Sequence, residues 1–222
     1  MSGDPTRARI VEAAMVLLVR DGRDGVTTRA VAEAAQVQAP TIYRLFGDKR
    51  GLLDAVAAHG YAMYLRDKSV REPIVDPVED LRAGWDLHVA FGLANPAVYT
   101  LMADPALRLT AGEAGLRVLA RHVRAIAAAG RLRIREARAV DLIHAAGLGT
   151  VLTLLEREPR DLALSATARD AVIQAITLDA PVRASPTPAT AAIALRAVLD
   201  DAPQLSAGER ALLDEWLARL AT

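Results

Sequence analysis

Apolar residues recur at intervals of three and four along most of this 222-residue chain. This is the spacing of amphipathic helices, because one helical turn takes about 3.6 residues. The alternation and the Asn-Gly turns that mark strands are missing. The pattern therefore predicts an all-α fold of about ten helices. Their expected bounds are 6–21, 28–35, a short helix from 39, 48–68, 78–94, 97–103, 111–129, 134–158, 167–178, 189–201 and 207–221.

The stretch from Thr27 to Leu53 predicts two short helices joined by a tight turn. Thr27 or Thr28 caps the first helix, since its hydroxyl accepts a hydrogen bond from an orphan amide at the helix start. Val37 is the apolar residue of the turn. Pro40 suits the first turn of the second helix, because its fixed φ is helical and its missing N–H would be unpaired there.

The second short helix has an outer face that packing does not explain. Ile42, Leu45 and Phe46 fall at i, i+3 and i+4 and face inward. The residues left on or near the outer side are Gln38, Ala39, Thr41, Tyr43 and Arg44. In a major groove, the first residues of such a helix reach base edges, and hydroxyl groups reach phosphate oxygens. The pattern favours a helix-turn-helix that reads DNA.

The next helix begins with two cations. Asp48 is its expected N-cap, and Lys49 and Arg50 follow at once. Cations are unfavourable at the positive end of a helix dipole. Because a phosphate partner explains their position, we expect both to lie beside DNA backbone.

Residues 10–58 resemble the DNA-binding domain of the TetR family of transcriptional repressors. The resemblance rests on the first helix, Thr28-Arg29, the Val37 turn, Thr41-Ile42-Tyr43, Phe46 and Asp48-Lys49-Arg50 followed by two leucines. It implies a DNA face formed by Thr28, Arg29, Gln38, Ala39, Pro40, Thr41, Tyr43, Arg44 and Lys49. It also implies a three-helix N-terminal domain, a helical C-terminal domain and a repressor role.

Two residues depart from the family pattern. Gln36 stands where the family usually has a turn glycine, and Gln38 where it often has a capping serine. If the turn needs a positive φ, Gln36 costs about 1 kcal/mol. Gln38 either reads adenine or only caps the helix.

The formal net charge is zero, which argues against a protein that coats nucleic acid by charge alone. DNA affinity must then come from the placement of a few side chains and from dimerisation. The chain has no cysteine, which excludes disulfides, a thiol catalyst and a cysteine-based zinc site. No run approaches about 18 apolar residues, and the N-terminus lacks a signal-peptide core, so we expect a soluble, cytoplasmic protein.

We expect two domains, a helix-turn-helix domain at 1–47 and a helical ligand-binding and dimerisation domain at 48–222. The 48–68 helix would join them as a lever, and 181–188 is a predicted linker. Gly147 and Gly149 lie inside the predicted 134–158 helix, where a glycine costs up to about 1 kcal/mol. Close crossing in a four-helix dimer seam with the 167–178 helix explains them. A helix buried within one chain, or a seam formed by the last two helices, stays open.

Aromatic residues and histidines concentrate between residues 81 and 102. The candidate lining of a pocket for a small, largely apolar effector is Trp85, His88, Phe91, Tyr99, Met102 and His122. Core packing is the alternative for each. The four histidines form no i, i+4 pair and no HExxH unit, so no metal ligand, catalytic residue or cofactor is expected.

The sequence therefore predicts a ligand-responsive DNA-binding regulator that binds a palindromic operator as a homodimer. One alternative is a helical small-molecule-binding protein or enzyme with a non-functional helix-turn-helix. Another is a protein-binding adaptor. Salt-dependent binding to a palindromic duplex separates the first hypothesis from both alternatives.

Overall fold

The computed structural model describes residues 4–69, 74–107, 111–178 and 187–221. These residues form eleven α-helices and no strand, and an isolated bridge joins Leu132 to Thr177. The predicted all-α fold class is confirmed. The helices are α1 (Pro5–Gly25), α2 (Thr28–Ala34), α3 (Ala39–Phe46), α4 (Lys49–Ser69), α5 (Pro77–Ala94), α6 (Pro96–Met102), α7 (Ala111–Ala128), α8 (Glu136–Leu155), α9 (Leu162–Ile176), α10 (Pro188–Ala197) and α11 (Ala207–Leu220).

Most predicted helix bounds lie within a few residues of these, and α9 differs most. It begins at Leu162 rather than at 167, because the Asp161 side chain accepts a hydrogen bond from the Ala163 amide at 3.0 Å and caps the helix. At the other end of the chain, α10 stops at Ala197 and a 3₁₀ turn, Leu199–Asp201, follows. Most of the predicted linker, residues 181–186, lies outside the described residues.

The described residues form two compact units. The first contains the residues up to 69 together with 90–107 and 111–115. The second contains 74–89, 116–178 and 187–221. The whole of α4 thus belongs to the unit that contains the two short helices. The predicted domain boundary at residue 47 stays a prediction.

Within the first unit, α4 crosses α6 at Gly60. A Cβ atom built on Gly60 lies 2.6 Å from Val98 Cγ1 and 3.1 Å from Met102 Sδ. Because real Cβ atoms do not approach other atoms so closely, only glycine fits at this crossing without a shift of the Val98 and Met102 side chains or of α6 itself. Contact between α4 and α6 is therefore direct and tight.

Candidate nucleic-acid interface

The turn between α2 and α3 places Gln36 in the left-handed region, with φ of 52°. The turn therefore does need a positive φ. The Val37 amide donates to the Ala32 carbonyl at 2.9 Å and closes the turn. A residue with a Cβ is strained at such a φ by about 1 kcal/mol.

Replacing Gln36 with glycine is expected to raise the free energy of unfolding by about 1 kcal/mol, because glycine adopts this φ without strain. Urea unfolding measures the change. Gln38→Gly is the control, since Gln38 has a φ of −77° and no backbone strain for glycine to relieve. Equal effects at the two positions would show that the turn is not strained.

Two threonines open α2 and have different roles. The Thr27 hydroxyl accepts a hydrogen bond from the Ala30 amide at 3.1 Å, so Thr27 is the cap. Thr28 Oγ1 lies 3.4 Å from the Tyr43 hydroxyl. This contact brings together two members of the predicted DNA face, one from each short helix.

The side chain of Gln38 makes no capping hydrogen bond, although Gln38 occupies the N-cap position of α3. It is exposed, as are Pro40, Tyr43 and Arg44, whereas Ala39 and Thr41 are half-buried. The opposite side of α3 holds it in place. Ile42 is fully buried, and the Arg7 guanidinium lies 5.1 Å from the centre of the Phe46 ring.

The start of α4 corrects one expectation. Asp48 is the N-cap as predicted, because its Oδ1 accepts from the Gly51 amide at 2.8 Å. Arg50 has a partner inside the chain, since its guanidinium donates to the Ala106 carbonyl at 2.8 Å. A phosphate is therefore not needed to explain Arg50. Lys49 is exposed, and its expected position beside a DNA phosphate stays a prediction.

A second arginine holds the same segment after α6. The Arg23 guanidinium of α1 pairs with the Asp104 carboxylate, which also accepts from the Ala106 amide at 2.9 Å. This amide and then Arg23 lower the pKa of Asp104. Together with Arg50, these contacts connect α1 and α4 to the segment that follows α6. No signal in the sequence relates positions so far apart.

Three of the candidate pocket residues lie in the first unit. Phe91, Tyr99 and Met102 are all buried there. The Phe91 ring centre lies 5.2 Å from that of Tyr64, and Met102 lies against Gly60. These contacts give Phe91 and Met102 a packing role in the unit.

The other three candidate pocket residues lie in the second unit. Trp85 is buried and its indole N–H donates to Ser165 Oγ at 3.1 Å. His122 Nδ1 lies 2.8 Å from Asp80 Oδ2, and His88 is half-buried. Neither Ser165 nor Asp80 was predicted as a partner, because each is distant in sequence from the residue it holds. The six-residue pocket stays a prediction.

The two glycines of α8 face different surroundings. A Cβ on Gly147 would lie 3.5 Å from His88 Cδ2, an ordinary packing distance. A Cβ on Gly149 would meet nothing within 4 Å, so no crossing within the chain explains that glycine.

Among the described helices, α8 is the one long and apolar enough to span a membrane by length and composition, and 33% of its apolar stretch is buried.

Known proteins resemble this chain most strongly in its N-terminal part. The family described as "Bacterial regulatory proteins, tetR family" matches residues 10–56. The chain is 48% identical over 52 residues to the uncharacterized HTH-type transcriptional regulator YvkB of Bacillus subtilis, a match that covers 23% of this chain and 28% of YvkB. It is 50% identical over 48 residues to the class A tetracycline repressor from transposon 1721 of Escherichia coli, 22% of each chain. The chain thus spans less than a third of the length of these relatives.

Solved structures extend the likeness to the fold. A tetR family transcription regulator from Shewanella sp. PV-4 has a TM-score of 0.64 at 18% identity and covers 79% of this chain and 100% of its own. A variant of TetR from Acinetobacter baumannii AYE in complex with minocycline has a TM-score of 0.60 at 25% identity, with 78% and 96% covered. The likeness of fold reaches well beyond the DNA-binding segment.

Proposed function

We propose that this chain is a member of the TetR family of bacterial regulatory proteins and acts as a ligand-responsive repressor that binds a palindromic operator as a homodimer. The observation that carries the proposal is the face of α3. Its inner side is fixed by Ile42 and Phe46, while Gln38, Tyr43 and Arg44 are exposed. A short helix with this division suits insertion into a major groove.

Five residues of the face have a chemical role in the proposal. The Gln38 amide is suited to a two-bond contact with adenine, and the Thr41 methyl to contact with thymine. Tyr43 and the cations Arg29 and Lys49 are suited to phosphate oxygens, which set the register of the helix on the duplex. The complete proposed face is Thr28, Arg29, Gln38, Ala39, Pro40, Thr41, Tyr43, Arg44 and Lys49.

Replacing Lys49 with alanine is expected to weaken binding to specific and random duplexes alike. Loss of one phosphate contact lowers the slope of log affinity against log salt by about one. Fluorescence anisotropy at several salt concentrations measures the slope. Arg50→Ala is the matched control, because Arg50 is bound to the Ala106 carbonyl and should leave the slope unchanged. An unchanged slope for Lys49→Ala would remove Lys49 from the DNA face.

Effector response is proposed to pass through the contact of α6 with α4. A ligand that pushes α6 toward α4 would move α4 as well, because the Val98 and Met102 side chains already lie against Gly60. The contacts of Arg23 and Arg50 with the segment after α6 add to this coupling. A coupling of about 1 to 3 kcal/mol would change operator affinity about 5- to 150-fold.

The effector class is proposed as small and largely apolar, since the residue types predicted to line its pocket are mostly apolar with few polar groups. One structural neighbour, the Acinetobacter baumannii variant, was solved in complex with minocycline, and that ligand belongs to the neighbour. The test is a ligand screen read as operator release, repeated on Trp85→Ala and His88→Ala. An effector that acts equally on both variants and the parent would exclude these two residues. As a regulator of transcription, the protein would act in the cytoplasm and without a catalytic step.

A further inference from the structure

Arg7, near the start of α1, lies over an aromatic ring that belongs to α3. Its guanidinium carbon is 5.1 Å from the centre of the Phe46 ring, a distance at which the face of a ring attracts a cation. On α1, Arg7 shares one side with two buried residues, Ile10 and Ala14. Arg7 therefore extends the buried side of α1 past the core, as far as the last residue of α3.

The contact with Phe46 leaves the hydrogen-bond donors of Arg7 free. A guanidinium carries several N–H donors around its edge, and attraction to a ring does not use them up. The Arg7 side chain is exposed, and no carboxylate of the described residues pairs with it. Because the ring already holds the side chain, Arg7 loses little freedom when it binds an anion.

The nearest carboxylates in sequence are occupied elsewhere. Asp4 accepts a hydrogen bond from the Thr6 amide at 2.9 Å and caps α1. Asp48 accepts from the Gly51 amide at 2.8 Å and caps α4. Each carboxylate thus serves its own helix, and neither forms an ion pair with Arg7.

Cations of the first unit differ in their partners. Three arginines are held inside the chain, through Asp21, Asp104 and the Ala106 carbonyl: Arg20, Arg23 and Arg50. Five exposed cations have no ion-pair partner among the residues that the structure describes: Arg7, Arg9, Arg29, Arg44 and Lys49. Three of these five already belong to the proposed DNA face, on α2, α3 and α4.

Phe46 brings Arg7 beside that face. Phe46 ends α3, Gly47 follows with a φ of 79°, and α4 begins at Lys49. Arg7 and Lys49 therefore border the same short turn. A helix in a major groove has sugar-phosphate backbone on both sides, so cations around its end meet phosphate oxygens.

We propose that Arg7 is a further phosphate-binding residue, held over Phe46 and contributed to the DNA interface by α1. The inference rests on the proposed function and adds α1 to the helices that contact the duplex. The group bound is a phosphodiester of the DNA backbone, so the contact carries no base preference.

The salt dependence of DNA binding tests this assignment. Arg7→Ala is compared with the parent chain on a fluorescein-labelled mixed-sequence duplex. The slope of log affinity against log salt should fall by about one, and affinity near physiological salt should fall about 5- to 10-fold. Arg9→Ala is the matched control, because it removes the same charge from the same helix. Arg9 is exposed and, two positions along, points to the other side of α1, so its slope should equal that of the parent.

A second variant tests whether the ring positions Arg7. Phe46→Leu keeps an apolar side chain at the end of α3 and removes the ring, and circular dichroism checks the fold. In this background Arg7→Ala should lower affinity by about 2-fold or less, because the two residues are coupled. Equal losses in both backgrounds would overturn the role of Phe46.

The outcomes separate this inference from the proposed function. An unchanged slope for Arg7→Ala overturns the inference, since an arginine with only a structural role changes stability and not ion release. Equal losses of slope for Arg7→Ala and Arg9→Ala also overturn it, because net charge then explains both. In either case a lower slope for Lys49→Ala leaves the proposed function intact. A parent chain that binds no duplex overturns both.

Discussion

Replacing Gly149 with leucine is expected to convert the dimer into monomers and to lower operator affinity about 100- to 10,000-fold. The loss is large because two linked reading helices gain that much from effective concentration. The chain itself has room for the new side chain, since a Cβ at Gly149 meets nothing within 4 Å. Any effect must therefore arise between copies, where a leucine blocks close approach of two α8 helices.

Sedimentation velocity and operator binding measure the two effects, and circular dichroism checks that the helices persist. Ala120→Leu on α7 is the control, because Ala120 is an exposed helical residue of the same unit that lies outside both candidate seams. A stable Gly149→Leu dimer would place the seam away from α8. The last two helices would then be the main seam.

Replacing Gly60 with alanine is expected to lower the free energy of unfolding by about 1 to 3 kcal/mol, the cost of overpacking a filled core. The new Cβ would lie 2.6 Å from Val98 Cγ1, so the Val98 side chain or the two helices must shift. Gly84→Ala is the control in another buried helical glycine, whose nearest neighbour is His122 Nε2 at 3.9 Å. At Gly84 alanine should raise the free energy of unfolding by up to about 1 kcal/mol, because alanine has the higher helix propensity.

Urea unfolding of both variants gives the comparison. If Gly60→Ala is as stable as Gly84→Ala, then α4 and α6 do not approach as closely as described. The route proposed for effector response would lose its physical basis.

Local chemistry made the helix-turn-helix predictable from sequence. The caps Thr27 and Asp48 act within three residues, and each forms the expected hydrogen bond. The position of Gln36 in the turn is enough to predict its backbone strain, because the turn requires a left-handed φ whatever the side chain. The apolar period of α3 identified Ile42 as buried. All of these depend on residues close together in sequence.

The misplaced features depend on distant residues. Arg50 carries a signal in the sequence, a cation at a helix start, and that signal predicts a phosphate partner. Its partner in the structure is the Ala106 carbonyl, 56 positions away. Ser165 and Asp80 gave no signal as partners of Trp85 and His122. Gly147 and Gly149 looked equivalent in sequence, and only packing separates the one that faces His88 from the one that faces outward.

Selection of bound sequences from random duplexes by the parent chain and by Gln38→Ala tests the central claim, that α3 reads DNA, most directly. The parent should enrich a palindrome with half-site centres about one DNA turn apart, roughly 10 to 10.5 base pairs. Gln38→Ala should keep the spacing and lose preference at particular base pairs by about 1 to 3 kcal/mol. The claim would be contradicted if the parent enriched no sequence. It would also be contradicted if Gln38→Ala and Thr41→Ala both selected the same sequences as the parent.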